Sequence, residues 1–202
     1  MGEVILAVMP LVDKVVVVDY GSSDGTFEEA SKFNVVVLKH ETNLGKGCAM
    51  ITGCDHAVSL GASNIILIDS DGQHDPGMIP LMIKEIENQD IVFVSRKFNK
   101  EMPLVFRIGN WGLSLTCAIL YNVGIHDALS GYKIMTKYTY NEIKWTSNGY
   151  GVESEILASV GKRKLKHKEI YTKTIYRDKK KGTGIWDGIK IFADIIKWKV
   201  IK

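Results

Sequence analysis

Ile65-Ile66-Leu67-Ile68-Asp69-Ser70-Asp71-Gly72-Gln73 decides how this chain is read. Its first four residues are uncharged and rich in β-branching, the pattern of a short strand buried on both faces. Two carboxylates follow where such a strand leaves its sheet, and in open α/β sheets ligands bind in the crevice beyond the carboxyl ends of the strands. Alternate residues of extended chain point the same way, so Asp69, Asp71 and Gln73 converge if the extended form persists past the strand. Three oxygen donors facing one point suit a hard divalent cation, Mg²⁺ or Mn²⁺, with positions left for substrate phosphates. Three other readings compete. Asp69-Ser70-Asp71-Gly72 also makes a plain turn. A calcium loop fits less well, because its glycine comes too early and no flanking helix precedes it. An aspartyl nucleophile of a phosphatase also follows an apolar strand.

Outward from this stretch the chain alternates. Residues 2–9 read as a short helix ended by Pro10, and 15–19 as a buried strand. Gly21-Ser22-Ser23-Asp24-Gly25-Thr26 is a turn, followed by helix over 27–32 and strand over 35–38. A helix over 45–60 closes at Gly61. After the acidic loop come a helix over 77–88 and a strand over 91–95. Strands alternating with helices predict an α/β fold around a mostly parallel sheet. Residues 103–121 form a long, nearly uncharged helix carrying Arg107 and Asn110, 124–136 read as loop and strand, and 165–177 have strand-like composition. From Gly184 onward, Ile185, Trp186, Ile189, Phe192 and Ile196 among lysines give an amphipathic helix. That helix either packs on the domain or lies in a membrane interface, where Trp186, Phe192 and Trp198 beside Lys190, Lys197, Lys199 and Lys202 suit the headgroup zone.

With 202 residues, one domain with a real core is expected. Hydrophobic residues at 46% and charged residues at 24% place the chain among soluble globular proteins. The net charge of +3 is unevenly spread: Lys162-Arg163-Lys164, Lys166, Lys168 and Lys179-Lys180-Lys181 crowd the C-terminal third. Such a run is a solvated face, or it meets anionic lipid or a phosphorylated substrate. Cys48, Cys54 and Cys117 have no metal-ligand spacing and suggest no disulfide framework, which fits a reducing cytosol. Neither a signal peptide nor a transmembrane span is predicted.

Several motifs recur in a fixed order. Asp19-Tyr20-Gly21-Ser22-Ser23-Asp24-Gly25-Thr26 follows a strand. Asn43-Leu44-Gly45-Lys46-Gly47 comes next, then Asp69-Ser70-Asp71-Gly72-Gln73-His74-Asp75-Pro76. Downstream stand Ser95-Arg96, Arg107 with Gly109-Asn110, Asp127 before Ser130-Gly131-Tyr132-Lys133, Gly149-Tyr150 with Glu153 and Glu155, and Tyr176-Arg177. The ordered set resembles the inverting family 2 glycosyltransferases of the GT-A fold, a Rossmann-like three-layer sandwich, and most closely the branch of dolichyl-phosphate mannose and glucose synthases. The resemblance covers nearly the whole chain. It implies that Asp69 and Asp71 hold the metal with Gln73 as third ligand, that Asp19 lies by the nucleotide, and that Arg96, Arg107 and Arg177 lie near phosphates. Guanidinium forks match phosphate oxygens, although a surface salt bridge is the plainer role for any one arginine. Lys46 can approach phosphate, or Gly45-Lys46-Gly47 merely opens a helix; the residues of a P-loop are missing. Two departures concern the nucleotide. Family members begin with an additional strand ending in a Pro-x-Tyr-Asn-Glu-like motif, whose lack would expose strand edges, and Tyr20 stands where a second Asp is usual.

The resulting expectation is a single GT-A-like domain over 1–202 that moves a hexose, with inversion, from a nucleotide sugar (UDP-hexose, UDP-GlcNAc or GDP-mannose, with UDP favoured) to a dolichyl or polyprenyl phosphate. Asp71, Arg107 and Arg177 are the catalytic candidates; Asp19, Lys46, Asp69 and Arg96 are the donor-binding ones. A lipid phosphate is already anionic near neutral pH, so no strong general base is required. A saccharide hydroxyl acceptor would need one, with Asp127, Glu153 and Glu155 the residues to test. His74 either orients the acidic loop or is an ordinary surface histidine, and the second is the preferred reading. Expected partners are the two substrates and the cytoplasmic membrane face, touched peripherally through the basic C-terminal third, with no nucleic acid and room for a homo-oligomer. A sugar-nucleotide nucleotidyltransferase is the rival enzyme class, and a catalytically impaired binding module the non-enzymatic one.

Overall fold

The computed structural model describes residues 1–97, 104–149, 151–173 and 185–201, with the side chains of 104–106, 185–187 and 201 left aside. Six strands and eight α-helices follow one another as α1 (Gly2–Val8), β1 (Val16–Asp19), α2 (Thr26–Ala30), β2 (Val36–Lys39), α3 (Lys46–Ser59), β3 (Asn64–Leu67), α4 (Ile79–Ile86), β4 (Ile91–Arg96), α5 (Leu104–Tyr121), β5 (Lys133–Thr136), α6 (Lys137–Ile143), α7 (Val152–Lys162), β6 (His167–Thr172) and α8 (Ile185–Ile201). Short 3-10 turns at Met9–Leu11 and Pro76–Met78 precede β1 and α4. The helix expected over 77–88 thus begins later, because Asp75 and Pro76 first set a 3-10 turn in which the Asp75 carboxylate accepts from Gly77 N at 2.9 Å.

The strands alternate strictly between two cores. Ile65, Leu67, Ile91, Phe93 and Met135 face a layer built from α3, α5, α6, α7 and α8. Ile66, Ile68, Val92, Val94, Tyr132 and Ile134 face α1 and α4 through Val8, Ile79, Met82 and Ile86. A period of two with both faces apolar makes a sheet covered on both sides, hence three layers. The sheet is parallel in part. Its order is β3-β5-β4-β6, with β3, β4 and β6 running one way and β5 inserted antiparallel between β3 and β4. β1 and β2 form a separate parallel pair. Among the described residues no pairing joins that pair to the four-stranded sheet. The residues of β1 before Asp19 are only half-buried despite being three valines, whereas Ile91–Ser95 of β4 are fully buried.

Because β3, β4 and β6 share a direction, the segments after Leu67, Arg96 and Thr172 leave at the same sheet edge. Two helices absent from the sequence reading, α6 and α7, belong to the same helical layer. Thr136 caps α6 by accepting from Thr139 N at 3.0 Å, and α7 lies against α5 at Gly161. A Cβ on Gly161 would stand 2.2 Å from the Tyr121 carbonyl oxygen. Gly161→Ala must push two packed helices apart, so a loss of about 1–3 kcal/mol in urea unfolding is expected; an unchanged midpoint would show that α5 and α7 yield freely.

Candidate active site

Four chain segments meet at the exit of β3. The acidic loop is a turn rather than extended chain: Gly72 takes φ 74° and Asp71 Oδ1 accepts from Gln73 N at 2.9 Å. The alternation expected to gather Asp69, Asp71 and Gln73 therefore stops at Asp69, and a turn brings the chain around instead. His74 sits beneath it and corrects the expectation of a surface histidine. It is buried, accepts from Asp69 N on Nδ1 at 3.1 Å, and stacks on Tyr132 at 4.9 Å between ring centres. Burial lowers the His74 pKa, opposed by the negative charges of Asp69 and Asp71, and Arg96 also bears on it. Both carboxylates thus lie within electrostatic reach of one imidazole.

Lys46, the first residue of α3, reaches under this loop. Its Nζ stands 3.0 Å from Asp69 Oδ1 and 2.8 Å from Glu153 Oε1, the second contact an ion pair not aligned as a hydrogen bond. Burial disfavours the ammonium, but Glu153 and Asp69 outweigh it and the Lys46 pKa is raised. Burial likewise disfavours the Asp69 carboxylate, yet Lys46 and His74 hold its pKa below the ordinary value. Lys133 lies fully buried beside them, its pKa pushed down to about 8 by burial against the pull of Glu153. The glycines around Lys46 serve backbone approach rather than phosphate cradling: a Cβ on Gly45 or Gly47 would stand 2.3 Å or 1.8 Å from the carbonyl oxygens of Asn148 and Ser147.

The downstream motif wraps the same loop. Ser130 Oγ donates to Val94 O at 2.6 Å. Gly131 leaves room for Asp69, whose Oδ2 would meet a Cβ there at 2.7 Å, and Tyr132 Oη donates to Asp75 O at 3.0 Å. Asp19, at the end of β1, is buried; its Oδ1 accepts from Ser22 N at 2.8 Å while Oδ2 has no hydrogen-bond partner. Tyr20 beside it is exposed.

The arginines separate. Arg96 grips the buried Asp127 through Nε at 2.6 Å and Nη2 at 3.1 Å, and Asn110 donates to the same carboxylate at 2.7 Å. Asp127 therefore orders the fold around Arg96 rather than standing ready as a base. Arg107 is half-buried on α5 with no hydrogen bond or ion pair among the described residues. Arg177 lies outside them.

One group escaped the sequence reading because its members come from three segments, at Ser95, His126 and Glu169 with Tyr171, far apart along the chain. Glu169 accepts from Ser95 Oγ, from His126 N at 2.7 Å and from Tyr171 Oη at 2.6 Å, and it pairs with His126 Nδ1 at 2.7 Å. Burial opposes this carboxylate, and these donors lower its pKa all the same. His126 and Tyr171 line a recess of about 470 Å³ with Arg96 and Lys97. A register of Ser95 to Tyr171 was invisible before the β4–β6 pairing was known.

The donor set suits a small hard cation. Among the described residues no three His, Cys, Asp or Glu side chains gather as a metal cage. Two carboxylates and an amide remain, and Mg²⁺-type ions are commonly held by one or two carboxylates with substrate phosphates completing the shell. Ionised Asp69 and the space kept by Gly131 agree with that.

A three-layer α/β domain with an acidic turn at a strand exit is the arrangement expected of a GT-A glycosyltransferase, and the solved structures it resembles have that fold. The family model of Glycosyl transferase family 2 matches residues 3–145, and the chain belongs to that family. It is 36% identical over 198 residues to an uncharacterised protein of Methanocaldococcus jannaschii, covering 92% of this chain and 81% of that one. It is 35% identical over 217 residues to UDP-N-acetylglucosamine–dolichyl-phosphate N-acetylglucosaminyltransferase of Methanococcus voltae, covering 94% and 86%. Glucosyl-3-phosphoglycerate synthase from Mycobacterium tuberculosis, solved with Mn²⁺, UDP and phosphoglyceric acid, shares the fold at TM-score 0.76 and 20% identity, covering all of this chain and 74% of that one.

Glu155 holds the 146–148 loop against Gly45 and Gly47, accepting from Thr146 N at 3.0 Å and Ser147 N at 2.8 Å. Burial opposes its ionisation, but the Ser147 and Thr146 donors win and its pKa is lowered. A depressed folded pKa gives stability that is present above the unfolded glutamate value and lost as pH falls through the folded one. Glu155→Gln is therefore expected to cost about 1–3 kcal/mol at pH 7, with the gap to the wild type closing below the ordinary glutamate range in urea titrations. A gap independent of pH would contradict this.

Proposed function

We propose that this glycosyltransferase moves a hexosyl or N-acetylhexosaminyl group, with inversion, from a UDP-linked donor to a dolichyl or polyprenyl phosphate. The observation that carries the reading is the ionised, half-buried Asp69 at the β3 exit, with Asp71 on the following turn. Asp69, Asp71 and the Gln73 amide would hold Mg²⁺ or Mn²⁺. When bound, that ion supplies Lewis-acid stabilisation of the departing diphosphate. Asp19, with one carboxylate oxygen unmatched, is suited to donors on the nucleoside. Lys46 keeps its positive charge beside Asp69 and adds to the field that favours a diphosphate there. His74 fixes the backbone of Asp69 and so the direction of its carboxylate.

The acceptor reading is supported by the acceptors of the relatives, dolichyl phosphate in the Methanococcus voltae enzyme among them. It is also supported by what the site lacks a need for. A phosphate monoester with a second pKa of about 6 arrives largely as the dianion, so its oxygen attacks the anomeric carbon as the bond to the diphosphate breaks, and no carboxylate must take a proton. Glu153 and Glu155 are committed to Lys46 and to the 146–148 loop. Arg107 and the Arg96 recess are the places for the acceptor's phosphate, bound by guanidinium forks.

Asp71 is exposed and, among the described residues, its carboxylate accepts only from the Gln73 backbone N–H. Asp71→Ala is expected to lower transfer of labelled sugar into the organic phase by about 100-fold or more with an unchanged melting temperature, and a chelator should silence the wild type until Mn²⁺ or Mg²⁺ is restored. Wild-type turnover in the variant would remove Asp71 from the reaction.

A further inference from the structure

Both oxygens of Glu169 on β6 are fully engaged. Oε1 accepts from Ser95 Oγ and from His126 N at 2.7 Å; Oε2 accepts from Tyr171 Oη at 2.6 Å and lies 2.7 Å from His126 Nδ1. A bare lone pair on Nδ1 would repel a carboxylate oxygen at that distance, so beside an ionised Glu169 the ring hydrogen sits on Nδ1. Nε2 is then the outward nitrogen. Among the described residues it has no hydrogen-bond partner. The His126 side chain is 71% exposed and lines the recess of about 470 Å³ with Arg96, Lys97 and Tyr171. Folding alone does not call for this arrangement. The segment is already pinned without the ring, by His126 N on Glu169, by Asp127 on Arg96 and Asn110, and by Ala128 N donating to Ser114 Oγ at 3.2 Å. Tyr171 Oη by itself would satisfy Oε2. An imidazole is nevertheless fixed beside a guanidinium and an ammonium, where another basic group gains nothing unless an anion joins them. Consecutive residues thus set two walls of the recess: Asp127 holds the Arg96 guanidinium, and His126 stands edge-on to Tyr171 at 5.6 Å between ring centres.

We infer that His126 binds the acceptor directly: with its ring fixed by Glu169, Nε2 bonds a terminal oxygen of a phosphate monoester seated in the recess beside Arg96. This rests on the acceptor reading above and deepens it, since it names a group with no other use in the site and the ester class that group selects. Histidine serves here in a way that arginine and lysine cannot, because they only donate. A phosphate monoester with a second pKa of about 6 arrives near neutral pH mostly as the dianion and partly as the monoanion, and an ordinary imidazole titrates close by, at about 6.5. To the dianion, the imidazolium Nε2–H donates. From the P–O–H of the monoanion, the neutral Nε2 accepts, and passing the proton across breaks one O–H bond and forms one N–H bond with no other reactant. Both pairs hold the same single proton, so the phosphate is presented with an unprotonated oxygen whichever form arrives. A phosphodiester has no second ionisation and a sugar hydroxyl has none near neutral pH, so neither matches this nitrogen in the same way.

Two variants of the full chain separate the roles of the two ring nitrogens. His126→Asn keeps an amide donor where Nδ1–H meets Glu169 but has nothing at the Nε2 position; His126→Ala lacks both. Thermal melts establish that these changes at an exposed side chain leave the fold intact. With a short-chain, water-soluble isoprenyl phosphate as acceptor, the acceptor KM is expected to rise about tenfold in both variants, the loss of one hydrogen bond to a charged group, while the KM for the nucleotide sugar stays as in the wild type. Nitrogen-15 spectra of the five histidine rings give a readout free of turnover. At pH 7 the isoprenyl phosphate should move one wild-type Nε2 signal toward the protonated position, and that signal should be the one missing from His126→Asn. A His126→Asn variant with the wild-type acceptor KM would make the imidazole a loop anchor and overturn the proposal. So would ring signals that the isoprenyl phosphate leaves in place, or the same signal moving with UDP and Mg²⁺, which would give the recess to the donor. A ring signal that moves without any sugar transfer to the isoprenyl phosphate would sink the acceptor reading and leave the phosphate site standing. Wild-type transfer that neither variant impairs would do the reverse.

Discussion

A half-buried carboxylate held ionised at the end of β3 is the constraint on which the rest of this structure turns. Burial alone would raise the Asp69 pKa. It stays charged because Lys46 stands 3.0 Å away and His74 lies beneath it. Lys46 in turn would be costly to bury without Glu153. Each of these groups has its own requirement: glycines at 45 and 47 so that α3 can start against the 146–148 loop, Glu155 to hold that loop, and Gly131 to leave room for the Asp69 oxygen. Motifs scattered over more than a hundred residues are thus the parts of one electrostatic arrangement.

The sheet serves that arrangement by direction. Three strands of the four-stranded sheet share an orientation, so β3, β4 and β6 all end on the same side, while the antiparallel β5 carries Lys133 into the buried charge cluster from the opposite sense. β5 also explains why the sheet is mixed. Its single inserted strand brings Ser130-Gly131-Tyr132 alongside the acidic turn, where Tyr132 stacks on His74.

What was legible in the sequence was whatever local pattern decides. Strands of four or five β-branched residues were found within a residue or two, since a two-sided apolar strand has few other readings. The acidic loop, Asp19 and Lys46 stand out because their order along the chain is distinctive, and the structure brings Lys46 to Asp69. What was not legible depended on partners far away in sequence. The insertion of β5 as an antiparallel strand left no trace in a four-residue segment. His74 looked like a surface residue because nothing local predicts Tyr132 as its stacking partner. Nothing local to Arg96 signals its bidentate pairing with Asp127, 31 residues on.

The central claim is that Asp69 and Asp71 together hold a divalent ion beside a nucleoside diphosphate. The most direct measurement is electron paramagnetic resonance of Mn²⁺ titrated with the protein in the presence of UDP. The free-ion signal should disappear as protein approaches one equivalent and should persist with an Asp69→Asn/Asp71→Asn variant that is still folded. A signal that survives in the wild type, or is lost equally in both proteins, would contradict the account.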